Sequence, residues 1–195
     1  GENDVVIGNA GETKAFTIAA SAKAFKVLSS NIYKNKIRAV VRELVCNAVD
    51  AHVLNGNKRP YTIQGPNILD PRFVVRDYGP GLSDEDMIEL YTTYFASTKA
   101  DRNDQIGALG LGSKSPFSYT STFSVVSYFE GMVRVYSCML SGGEPAIVKT
   151  HEEPFDDDDR SGIEVIVPVK VDDISKWHNE IGYVMRPFPN ESYEI

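Results

Sequence analysis

Ile37, Val40, Val41, Leu44, Val45 and Ala48 recur at the spacing of one helical face, which predicts a helix from about Lys36 to Leu54 with a single buried stripe. Asn55-Gly56-Asn57 supplies its stop. Short apolar runs predict strands at Val5–Ile7, Ala15–Ile18, Tyr61–Gln64 and Arg72–Arg76, and a short helix is expected near Ala22–Ser29. Ser83-Asp-Glu-Asp86 resembles a capping box opening a helix through about Tyr91. A long Gly-rich polar stretch then runs to Pro116. Beyond it the period changes to that of strands: Thr122–Phe129, a Glu130-Gly131 turn, Met132–Leu140, a Ser141-Gly-Gly143 turn, Pro145–Thr150 and Gly162–Val169. Asp172–Met185 returns to the helical period. Helices gather early and hairpins late, so the fold class is α+β, a two-layer sandwich rather than a doubly wound parallel sheet.

The 195 residues suit one domain with a sizeable core, and 42% apolar with 24% charged residues is an ordinary globular composition. A net charge of −7 speaks against a nucleic-acid partner. Glu152, Glu153 and Asp156–Asp159 contribute much of that charge, and the run is expected to be a solvated loop with no chemistry, since it lacks the alternating ligands and Gly turn of a calcium loop. Cys46 and Cys138 lie in apolar runs, as expected of reduced thiols in a cytosolic core. There is no run of about 18 apolar residues and no signal-peptide pattern at the start. Domain organisation is expected to be a single unit over 1–188, with 189–195 as a tail or the start of a linker in a longer protein.

Three constellations carry candidate chemistry. Glu43, Asn47 and Asp50 are spaced by four and three on the long helix, within an arc of roughly 60°. An amide oxygen there can ligate hydrated Mg²⁺ while a carboxylate orients water; an ordinary exposed helix face gives the same pattern. Asp77-Tyr-Gly79-Pro-Gly81 ends a strand, where a carboxylate can accept from an exocyclic amine such as adenine's and glycines let backbone approach a flat ring; a plain Asp/Gly turn is the alternative. Gly107-Ala-Leu-Gly110-Leu111-Gly112-Ser113-Lys114-Ser115-Pro116 fits neither familiar phosphate loop. In one, Ser113 stands where Lys should follow Gly112; in the other, Ser115 stands where the last Gly belongs. It reads either as a flexible surface loop or as a Gly-rich loop entering a short helix at Ser113–Pro116, whose free N–H groups suit phosphate. His52, His151 and His178 are scattered, with no metalloprotease, zinc or hydrolase-elbow motif.

Taken in order, Glu43-x-x-x-Asn47-x-x-Asp50-Ala51, Asp77-x-Gly79-x-Gly81 and Gly107-x-x-Gly110-x-Gly112 resemble the three boxes of the GHKL ATPases, and Arg42–Ala51 is most similar to their heat-shock-chaperone branch. More of the chain, at Asn35–Leu44, Leu69–Phe73, Gly110–Tyr119 and Met185–Phe188, resembles the amino-terminal part of the phage rIIA lysis-inhibition family.

The resemblance implies a Bergerat fold, with helices on one face of a mixed, mostly antiparallel sheet and a lid at about 91–112. It implies ATP and Mg²⁺ as ligands, with Glu43 as general base, Asn47 as metal ligand and Asp77 as adenine acceptor. Gly79 and Gly81 would flank the base, and Asp50 and Ala51 belong to the same nucleotide-binding set. The 107–112 loop would wrap the phosphates, including Leu111, with Ser113 beside it and Lys99 and Lys114 as phosphate neighbours. Ser161-Gly162-Ile163 departs from the family by placing Ile where its last box commonly has Thr, so Ser161 or a water is the candidate substitute.

The function implied is a slow, Mg²⁺-dependent ATPase switch in the cytoplasm of an infected bacterial host. Self-association or partner contacts would run through following domains, and peripheral membrane association of the full-length protein is left open. The alternative is a nucleotide-binding interaction module that hydrolyses nothing.

Overall fold

The structure is a computed structural model. It describes residues 4–9, 12–17, 35–56, 59–92, 112–141, 144–156 and 160–195. The helix expected at Ala22–Ser29, the turn glycines at 142–143 and most of the 91–112 lid segment lie outside the described residues.

Strands β1 (Asp4–Asn9) and β2 (Glu12–Thr17) form an antiparallel pair. The principal helix, α1 (Lys36–Asn55), begins where the Asn35 side chain accepts from the Arg38 N–H at 3.0 Å, satisfying one of its orphan donors. It ends at Gly56, whose φ of 61° is the left-handed stop that the sequence signalled. The next elements are β3 (Tyr61–Gln64), β4 (Arg72–Arg76) and α2 (Asp84–Thr92). Ser83 caps α2 by accepting from the Asp86 N–H. A 3₁₀ turn at Ser115–Ser118 stands in place of the short helix expected at Ser113–Pro116.

The later part of the chain is β5 (Thr122–Phe129), β6 (Met132–Ser141), β7 (Glu144–Pro154), β8 (Gly162–Pro168), α3 (Ile174–Met185) and a two-residue β9 (Tyr193–Glu194). The β5–β6 hairpin turns on Glu130 and Gly131, both with positive φ, so its twist matches that of the strands.

The main sheet has the order β7-β6-β5-β8-β4-β3-β9. Every pairing is antiparallel except β3 with β9, which makes the sheet mixed as expected. Val40, Val41, Leu44 and Val45 of α1 and Trp177 and Ile181 of α3 share one buried cluster with Phe73, Val125 and Val167 of the strands. Trp177 packs between Phe73 and Tyr119, with ring centroids 5.1 and 5.0 Å away. Glu180 joins α3 to α1 by accepting from Arg38 Nε at 2.6 Å and Asn35 Nδ2 at 2.8 Å.

Two expectations are corrected. Glu152 and Glu153 belong to β7 rather than to a solvated loop, because Glu152 pairs with Lys149 on its own strand and lies 3.5 Å from Arg134 Nε on β6. The closing helix begins at Ile174, with Val171–Asp173 forming a 3₁₀ turn before it. A third element escaped the sequence reading: the stretch expected as tail or linker contributes β9, parallel to Tyr61–Thr62.

Candidate nucleotide site

Asp77 stands just beyond the end of β4, two residues after Val75, so both face the helix layer. Its Oδ1 accepts from the Gly79 N–H at 2.9 Å and the Ile163 N–H at 3.2 Å, while its own N–H donates to the Ile163 carbonyl at 2.9 Å. One carboxylate oxygen is thereby fixed by backbone. Burial raises the Asp77 pKa to about 6, against the opposing pull of those two N–H groups and of Arg76.

Asp77 lines an open pocket. Ala48 of α1, Leu82, Met87 and Leu90 near α2, and Ile163 and Val165 of β8 supply apolar wall. Asn47 and Ser113 contribute polar edge. A mostly apolar lining with one anchored carboxylate has the chemistry to receive a flat ring bearing an exocyclic amine.

The glycines around it are set by close approach. A Cβ on Gly79 would lie 2.7 Å from the Ala51 Cβ, so the turn packs directly on α1. Gly81 has φ 74°, and a Cβ there would run into the Tyr128 carbonyl. Ser127 fastens the same turn: its hydroxyl donates to the Leu82 carbonyl at 2.6 Å and accepts from the Leu82 N–H at 3.1 Å.

Glu43 and Asn47 are half-buried on successive turns of α1, and Asp50 is exposed one turn on. Gly112 lies directly on the first two. A Cβ at that position would be 2.8 Å from Glu43 Oε2 and 3.3 Å from both terminal atoms of Asn47. Burial raises the Glu43 pKa, and Arg42 partly offsets it.

The structure therefore brings Glu43, Asn47, Ala51, Asp77, Gly79, Gly81, Gly112 and Ser113 together around one cleft. Lys114 is not delivered to it as a phosphate neighbour. Its side chain turns inward, Nζ donates to the Leu90 carbonyl at 2.7 Å, and burial lowers its pKa to about 7. Lys99, Gly107, Gly110 and Leu111 lie outside the described residues.

At Ile163, where the resemblance led to the expectation of a missing hydroxyl, the backbone N–H reaches Asp77 and the side chain forms pocket wall. The neighbouring Ser161 hydroxyl donates to the Gly79 carbonyl at 2.8 Å. The sequence reading missed Ser127, the Ile163 N–H and Arg76. For Arg76 the sequence shows only a cation closing the apolar run Phe73-Val-Val75, with Arg72 opening it. His52 is structural, since its Nε2 accepts from the Tyr78 N–H at 2.7 Å.

Residues 35–160 match the family described as Histidine kinase-, DNA gyrase B-, and HSP90-like ATPase, and the chain belongs to that family. Its α+β architecture with a mixed seven-stranded sheet is consistent with the ATPase fold of this family. Among curated proteins the chain is similar to the chaperone protein HtpG of Rickettsia typhi, with 26% identity over 182 aligned residues. That match covers 82% of this chain and 28% of the relative, so the chain spans under a third of the curated protein's length.

Proposed function

We propose that this domain binds ATP with Mg²⁺ and hydrolyses it slowly, closing and opening as a conformational switch within a longer protein. The observation that carries the reading is the anchored Asp77 carboxylate. With Oδ1 committed to two backbone N–H groups, Oδ2 is the acceptor left for the adenine amine, and the apolar slot supplies the contact faces of the ring.

The phosphates would then extend along α1 toward Glu43, Asn47 and Gly112. Mg²⁺ would be held by the Asn47 amide oxygen, nucleotide phosphates and water, because this small cation keeps much of its hydration shell. When bound it would neutralise phosphate charge. The Ser113 hydroxyl, buried with no hydrogen-bond partner among the described residues, is a donor in reserve at that edge. Glu43, with its raised pKa, would take a proton from the attacking water.

The HtpG likeness supports a switch that acts through following domains, by self-association or on a partner protein, and the motif resemblance at Asn35–Leu44 and Gly110–Tyr119 suggests its setting. In that reading the protein is the amino-terminal module of an rIIA-like lysis-inhibition protein. It would work in the cytoplasm of the infected bacterium, and the 1–188 segment would be the nucleotide unit.

Glu43→Ala tests the chemistry. Affinity for ATP should stay within a few-fold while single-turnover hydrolysis falls by about 10²–10⁴-fold. Wild-type protein that binds ATP and shows no single-turnover hydrolysis would instead favour a non-hydrolysing interaction module.

A further inference from the structure

Arg76 is buried, yet among the described residues its hydrogen bonds go to no carboxylate. Its register neighbour across the sheet is Glu164, but the guanidinium donates instead to three backbone carbonyls, those of Asp77, Arg160 and Ser161. Two tyrosine rings cover it, Tyr128 and Tyr78, with centroids 4.3 and 4.4 Å from the guanidinium carbon.

Burying a cation on neutral acceptors is costly, and burial lowers the Arg76 pKa. What the contacts achieve is local. They tie 160–161, the last residues before β8, to the residue that carries the base-reading carboxylate. Immediately beyond the tie, Gly162 has φ 133°, and a Cβ there would run into the Asp77 carbonyl and the Arg76 guanidinium. Arg76 thus occupies the space next to Gly162. Two hydrogen bonds flanking Gly162, from the Ser161 hydroxyl to the Gly79 carbonyl and from the Ile163 N–H to the Asp77 carboxylate, depend on where that segment lies.

We propose that Arg76 is a positioning residue for base recognition: its three-way fork fixes the 160–163 segment, which in turn orients the Asp77 carboxylate toward an adenine amine. The inference rests on the nucleotide reading above. A planar fork with donors on separate nitrogens can bridge carbonyls from two chain segments, whereas a lysine ammonium is a single point. Charge alone therefore does not replace it.

Adenine and guanine separate this role from a merely structural one. Guanine presents a carbonyl oxygen where adenine presents its amine, so an oriented carboxylate favours ATP and repels GTP, while phosphate contacts serve both. The experiment is calorimetric titration of the chain with Mg-ATP and Mg-GTP, for wild type, Arg76→Met and Arg76→Lys, with far-UV circular dichroism to check folding. Each variant should lose about ten-fold in ATP affinity, the order expected for one charge-assisted hydrogen bond, with GTP affinity within two-fold of wild type. If Arg76→Met does not fold, Arg76→Lys decides alone. An ATP-to-GTP preference unchanged from wild type, or equal losses for both nucleotides, would overturn the inference while leaving the site intact. Wild-type protein that binds neither nucleotide would overturn the nucleotide reading and this inference with it.

Discussion

The backbone of Gly112 rests on the carboxylate of Glu43 so closely that a β-carbon there would come within 2.8 Å of Oε2. Only hydrogen fits between the loop and the acid. The atom displaced by an added methyl would be the far end of a flexible side chain, which can swing at little cost to the fold.

Gly112→Ala should therefore leave the melting temperature nearly unchanged and move Glu43 by about an ångström. Misplacement of that size costs on the order of 10²-fold in rate. Turnover at saturating ATP, measured beside a melting curve, checks the pairing. A variant that melts early yet keeps its turnover would contradict it.

The neighbouring glycines should behave in the opposite way. At Gly81 and Gly162 the φ angles are positive and the obstructing atoms are backbone carbonyls, which cannot swing aside. Gly81→Ala and Gly162→Ala should each cost at least about 1–3 kcal/mol from backbone conformation alone, read by urea denaturation. Unchanged stability in both would mean that the turn relaxes more than this packing allows.

Asp77 links stability to recognition. Its pKa of about 6 in the folded chain lies above the roughly 3.9 of an unfolded aspartate, so the native state holds the proton more tightly. Its contribution is most favourable below about pH 4, declines as pH rises to 6, and above 6 leaves the fold carrying an ionised buried carboxylate, at a cost of up to about 3 kcal/mol. Asp77→Asn should accordingly raise the melting temperature at pH 7 and weaken ATP binding, since an amide nitrogen facing the adenine amine sets donor against donor. Wild-type affinity should also fall as pH drops through 6. Melting and titration from pH 5 to 8 check both, and a variant that binds ATP as wild type does would show that Asp77 does not read the base.

Lys114 yields the prediction that departs furthest from the sequence reading. With its amino group on the Leu90 carbonyl and its pKa lowered to about 7, it contributes stability that grows as pH rises from 7 toward the unfolded value near 10.4. Lys114→Met should flatten that rise and change ATP affinity by no more than a few-fold. A loss of ten-fold or more would return the residue to the phosphates.

Such a reversal explains what sequence could and could not reveal. Period and punctuation placed α1, β3, β4, β5 and the Glu130-Gly131 turn, because each is a local consequence of apolar spacing or of a residue's φ preference. The same local logic located Asp77, Gly79 and Gly81. Lys114 stands beside Gly112 in sequence, but which way its side chain turns depends on α2, far along the chain, whose Leu90 carbonyl receives it. Ile163 looked like a lost contact because side chains are legible and backbone N–H groups are not. β9 has two residues, too few for a period, and its partner, Tyr61–Thr62, lies far earlier in the sequence. Glu152 read as part of an acidic loop until Lys149 and Arg134 were seen beside it.

If the cleft between Asp77 and Glu43 holds ATP, a melting series with Mg-ATP will register it. Ligand at about 100 times its dissociation constant adds roughly 2.7 kcal/mol, which for a chain of this size raises the melting temperature by about 5–11 °C. Wild type should shift by that order, and Asp77→Asn by much less. A flat wild-type curve at millimolar ATP would contradict an ATP site in this cleft.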